Sequence, residues 1–151
     1  MPDRSDGADA ETRILSVIRE AINLNAMEET ERAVQLLTPM LSEFPEEPAV
    51  HLYLAWYLRG CHRFEAAIEH ARRAVQLLPK SSRASLVLFL ALWEAGYKND
   101  AIEEIRRFVP IRSTERYTSH YLDILKKWEA GDTGEGRHIS PTDDIVKRLL
   151  Q

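Results

Sequence analysis

From Glu11 onward the apolar residues fall on one face of a helix. Ile14, Val17, Ile18, Ala21, Ile22 and Leu24 follow i, i+3, i+4, i+7 spacing. A second helical pattern covers about Glu29 to Glu43, with Ala33, Leu36, Leu37, Met40 and Leu41 on its apolar face. Pro39 lies inside it and cannot donate to the carbonyl of Gln35, which predicts a kink or an early end. Phe44-Pro45-Glu46-Glu47-Pro48 breaks the pattern. Helices follow over about Pro48–Arg59 and Phe64–Leu78, with Gly60 suited to a left-handed C′ position and Pro79 after the second helix. The next pair covers about Ser82–Ala95 and Asn99–Phe108, with Gly96 at the turn and Asn99 as a candidate cap. A further helix is predicted from Thr114 to Ala130, stopped by Gly131.

These elements repeat. Ala33, Ala67 and Ala101 are evenly spaced, each in a matching context, and Pro45 and Pro79 keep the same step. The expected fold is therefore all-α, with units at about 14–47, 48–81 and 82–115 and an end helix at 114–130. Residues 1–10, rich in Asp, Ser and Gly, read as a disordered lead-in to a helical domain spanning 11–130. Residues 131–140 read as a flexible linker. A short amphipathic helix is expected over 141–151, with Ser140 as its N-cap, Pro141 at its first position and Asp143 and Asp144 in its first turn.

A constant step of this size, with these markers, resembles the tetratricopeptide repeat family over about Ile14 to Ala130. The small residue of the second helix falls on Ala33, Ala67 and Ala101, and the closing proline on Pro45 and Pro79. Two departures stand out. The usual first-helix glycine is Ala21, Ala55 and Phe89, and Phe89 is too large for a tight helix crossing, so the third hairpin should splay or shift register. Repeat one has Met27 and Glu28 where a turn glycine would stand. The resemblance implies a right-handed α-α superhelix of about three hairpins with a capping helix.

It also implies a binding face. In such stacks the first helix of each hairpin lines a concave groove, which here places Leu15, Ile18, Ile22 and Asn25 of repeat one there. Repeat two adds Ala49, Leu52, Trp56 and Arg59, and repeat three adds Arg83, Leu86, Leu90 and Trp93. The end helix would contribute His120, Ile124 and Lys127. Families that capture a C-terminal carboxylate present Lys, Arg and Asn in this groove. Here it is mostly aliphatic and aromatic, which suits an amphipathic helix or an extended apolar segment. Trp56 and Trp93 have an alternative reading as core residues between adjacent helices.

The 141–151 helix carries an apolar stripe, Ile145, Val146, Leu149 and Leu150, that cannot bury itself alone. Three placements are open: the groove of the same chain, a second copy, or the end of the stack. The Gly-rich tether would raise the local concentration of the stripe to the order of mM.

Composition narrows the chemistry. The net charge of −4 argues against a general nucleic-acid binder, and an aliphatic groove argues against an RNA-binding helical repeat. The strongest apolar run, Ala84 to Trp93, is too short to cross a bilayer, which takes roughly 20 residues. The polar, acidic start has no apolar segment of the secretory kind, and Cys61 is the single cysteine, so a cytoplasmic location is expected. The five histidines show no i, i+4 pair, and Gly131, Gly134 and Gly136 follow a helix, the wrong context for a phosphate loop. Cys61-His62 would need further ligands from elsewhere to hold a metal. No enzyme, cofactor, metal site, nucleic acid or membrane partner is expected. The expected function is a non-catalytic adaptor or chaperone-like module for a protein or peptide. The alternative is a structural protein that self-assembles into homo-oligomers through its tail or end helix.

Overall fold

A computed structural model describes residues 4–111 and 116–131, and these residues form helices and turns throughout. The helices are α1 (Arg4–Ala26), α2 (Thr30–Leu37), α3 (Met40–Glu43), α4 (Pro48–Gly60), α5 (Phe64–Leu77), α6 (Ser82–Glu94), α7 (Lys98–Phe108) and α8 (Arg116–Glu129). The chain divides after Pro79 into two compact units, residues 1–79 and 80–151. The linker, the 141–151 helix and its stripe lie outside the described residues apart from Gly131, which has φ +90°.

The first unit holds two hairpins, α1–α2 and α4–α5, with α2 also packed on α4. Pro39 acts as its chemistry requires. The helical pattern of residues 29–43 is split into α2 and α3, with Thr38 and Pro39 between them. Thr38 closes the end of α2 twice on one acceptor: its N–H and its hydroxyl both donate to the carbonyl of Val34, at 3.0 and 2.7 Å. Ala33, Leu37, Ala55, Ala67, Ala71 and Ala74 are fully buried, so the helices meet through small side chains where the spacing placed them. α1 begins at Arg4, inside the stretch expected to be a disordered lead-in. Asp9 and Glu11 in its early turns suit the positive end of the helix dipole, which favours helix where apolar residues are few.

The three turns share one design. Glu29 N–H donates to Leu24 O (2.8 Å), Arg63 N–H to Leu58 O (2.9 Å) and Tyr97 N–H to Leu92 O (2.9 Å), each bond one repeat period after the last. Such a bond closes a helix end by the Schellman pattern, which needs a left-handed residue just before the donor. Those residues are Glu28 (φ 63°), His62 (φ 60°) and Gly96 (φ 91°), again in step with the repeat. Gly60 is not the left-handed residue of its turn, as the sequence suggested; it is the last residue of α4, and His62 takes the strained conformation. Asn99 is likewise not the cap of α7, which starts one residue earlier with Tyr97 at the N-cap.

The second unit is built around α6. Every residue from Ala84 to Trp93 is buried, so the middle of this helix has no solvent face and only its ends, at Arg83 and Glu94, are exposed. Its start is capped by Ser81, whose hydroxyl accepts from Ala84 N–H at 3.2 Å. α7 covers one side, over a less extensive contact than that between α4 and α5. α8 covers another through aromatic rings. Tyr121 lies 5.6 Å from Phe89 and 5.9 Å from Phe108, and Trp128 lies 5.9 Å from Trp93, centroid to centroid. Ser85 and Tyr121 join their hydroxyls at 3.1 Å inside this core. On α7 the buried Glu104 carboxylate accepts two bonds from Arg107, at 2.6 and 2.7 Å.

Candidate functional site

The residues expected to line one groove divide between the units, and the two sets differ. In the first unit, α1 packs on α4 and the pair keeps apolar side chains at the surface. Leu15 and Ile22, two turns apart on α1, are 55% and 41% exposed. On α4, Leu52 and Trp56 are one turn apart and half-buried. The guanidinium carbon of Arg59 stands 4.4 Å from the centre of the Trp56 ring. That stack covers one face of the half-buried indole with a cation and restrains the ring, and tryptophan and arginine are both favoured at binding hot spots. Asn25, also expected in the groove, is occupied in the α1–α2 turn, where it accepts from Thr30 Oγ1 at 2.8 Å.

In the second unit Leu86, Leu90, Trp93 and Ile124 are 5%, 0%, 6% and 0% exposed. They do not line an open groove. α8 lays Trp128 against Trp93 and Tyr121 against Phe89, and Lys98 Nζ sits 4.9 Å from the Trp93 ring. The core reading of Trp93 is the one its burial supports. Arg83 is exposed, and His120 and Lys127 are partly exposed on α8, so the expected residues at the surface of this unit are polar. The tail residues Ile145, Val146, Leu149 and Leu150 fall outside the described residues.

Burial and a hydrogen bond to the Glu31 carboxylate push the Cys61 thiol pKa up, which suppresses the thiolate that a nucleophile or metal ligand needs. Among the described residues no three His, Cys, Asp or Glu converge on a point able to hold a metal, and no helix is long and apolar enough to cross a membrane.

One polar cluster was missed by inspection of the sequence. His51 of α4 is buried, and its Nδ1 lies 3.2 Å from Nδ1 of His70 on α5, while its Nε2 lies 2.8 Å from the carbonyl oxygen of Pro45. A search for histidines one turn apart on a single helix cannot find a pair held on two. Pairing α4 antiparallel with α5 would have brought them opposite each other. The pair opens onto a cleft lined by Glu69, Arg72, Arg73 and Gln76.

Comparison of the sequence with protein-family models and with curated proteins finds no match.

Proposed function

We propose that the protein is a non-catalytic interaction module of the tetratricopeptide-like kind. It takes an apolar or amphipathic segment of another protein on the α1–α4 face of its first unit. The observation that carries this reading is the set Leu15, Ile22, Leu52 and Trp56, left at or near the surface, while Leu86 and Leu90, one repeat period after Leu52 and Trp56, are buried. Apolar side chains grouped on one face lower the free energy of a complex by leaving water. Leu52 and Trp56 lie one turn apart, the spacing at which a helix offers its own anchors to a partner helix.

A synthetic peptide of residues 138–151 is a defined probe, because its sequence carries such a stripe. Its binding to a chain ending at Gly131 should change Trp56 fluorescence, and Trp56→Ala and the double change Leu15→Ser, Ile22→Ser should each weaken it at least tenfold. Binding of equal strength in both variants would overturn the face as the site.

A second reading is self-assembly through the tail, and the same pairing of apolar face and apolar stripe in one chain favours it. Light-scattering mass across a concentration series separates the two. A full chain that dimerises, beside a chain ending at Gly131 that does not, supports assembly. Monomers in both cases turn the face toward other proteins.

A further inference from the structure

We propose that His51 and His70 form a proton-operated clasp, which holds α4 to α5 and to the turn at Pro45 while the pair carries at most one positive charge and releases them when both rings are charged.

The argument starts from the carbonyl of Pro45, which can only accept. His51 Nε2, 2.8 Å away, must therefore carry the hydrogen. In the neutral ring this leaves a lone pair on His51 Nδ1, and His70 Nδ1 donates to it across 3.2 Å. Both tautomers are fixed by the bonds. The ring centroids are 5.4 Å apart, so the two nitrogens face each other almost head-on, the geometry of a hydrogen bond. A first proton goes to His70 Nε2 and leaves the bond intact, because His70 Nδ1 still donates. The next proton can go only to His51 Nδ1, the acceptor. It destroys the bond and sets two cations against each other over a distance where repulsion is strong.

The surroundings do not neutralise that repulsion. On α5, Glu69 favours a charged His70, and Arg72 and Arg73 line the same cleft. From the turn before α4, Glu46 is paired with Arg73, and Glu47 accepts from Ala49 N–H at the start of α4. Glu43 of α3 is paired with Arg13 of α1, and Glu31 of α2 with Arg63. The pKa of His70 is held below the ordinary histidine range, by burial first and by His51 second, against the pull of Glu69. The sign follows. A histidine whose folded pKa is lowered stabilises the fold above its unfolded value of about 6.5, and that contribution is lost as pH falls. Each proton taken up on opening raises the opening equilibrium about tenfold per pH unit.

Amide hydrogen exchange of the full chain between pH 7.5 and 5, corrected for the intrinsic rate, reads this directly. Opening of α4 and α5 amides should rise about tenfold per pH unit below about 6.5, while α6 and α7 amides stay level. His70→Gln should flatten the slope and His120→Gln should leave it. A slope that persists in His70→Gln, or that appears equally in both units, would overturn the clasp. Should His70→Gln fail to fold, nitrogen chemical shifts of the wild-type imidazoles decide. Protons on His51 Nε2 and His70 Nδ1 with a two-step titration support the pair, and two independent one-step titrations overturn it.

Discussion

Helices α4 and α6 occupy the same place in their hairpins, one repeat period apart, and end in the same hydrogen-bonded turn. They have opposite fates. α4 buries Val50, Leu54, Ala55 and Leu58 and keeps Leu52 and Trp56 half-exposed, whereas α6 buries every residue from Ala84 to Trp93. A repeat sets backbone register, and the neighbour supplied to each helix decides which positions become core. In the second unit that neighbour is α8, with Tyr121 and Trp128. Binding capacity should therefore lie in the unit whose first helices are left partly open.

The sharpest way to break this contrast is to truncate one tryptophan on each of these helices, Trp56 of α4 and Trp93 of α6. Trp93 is 6% exposed and touches Phe89, Trp128 and Lys98. Trp93→Ala should cost about 3–5 kcal/mol, the range for removing a large buried aromatic. Trp56→Ala removes a half-buried ring and one cation–π stack. It should cost about 1–2 kcal/mol of stability while weakening peptide binding about tenfold or more. Urea unfolding of both variants measures the difference. Equal costs would mean that Trp56 is core, and the proposed face would lose its centre.

How much of this contrast could be read from the sequence differs by residue. The register was legible because Ala33, Ala67 and Ala101 mark it, and all three are fully buried. The fate of α6 was half legible. A helix apolar on all sides asks to be buried on all sides, and Ala84–Trp93 is such a run. The repeat pattern pointed Leu86, Leu90 and Trp93 toward an open groove instead, since it is silent about what a later helix will cover. Gly60 drew attention from its turn because glycine is the usual left-handed residue, while the conformation fell further on, at His62. The histidine pair was hidden because its members meet only through tertiary packing.

That pair gives a second, smaller contrast. His51 and Ser85 stand one repeat period apart, and both are buried polar residues on the first helix of a hairpin. His51 bonds to His70, which titrates; Ser85 bonds to Tyr121 through hydroxyls, which exchange no charge near neutrality. Tyr121→Phe should cost about 1–2 kcal/mol by leaving a buried hydroxyl with one partner fewer. The loss should be the same at pH 5 and pH 7.5. His70→Gln should cost most at pH 7.5 and little at pH 5, where the wild-type pair has lost its own contribution. Denaturant unfolding at the two pH values checks both. A loss in His70→Gln that does not change with pH would make the histidines a plain structural contact, equivalent to Ser85 and Tyr121.

The smallest expected effects come from the turns, where the same left-handed position is filled by Glu28 in the first unit and Gly96 in the second. A side chain in this conformation costs roughly 1 kcal/mol, because Cβ crowds the following carbonyl. Gly96→Ala should therefore destabilise by about 1 kcal/mol, although a Cβ there would meet no atom within 4 Å. Backbone strain alone sets that cost. Glu28→Gly should run the other way, with a gain of a few tenths of a kcal/mol, because relief of strain is partly offset by the greater freedom of glycine in the unfolded chain. Thermal or urea unfolding of the two variants asks whether the three turns are energetically as well as geometrically equivalent. If Glu28→Gly destabilised instead, the Glu28 side chain would be making a favourable interaction that outweighs its strain, and the first turn would differ in kind from the third.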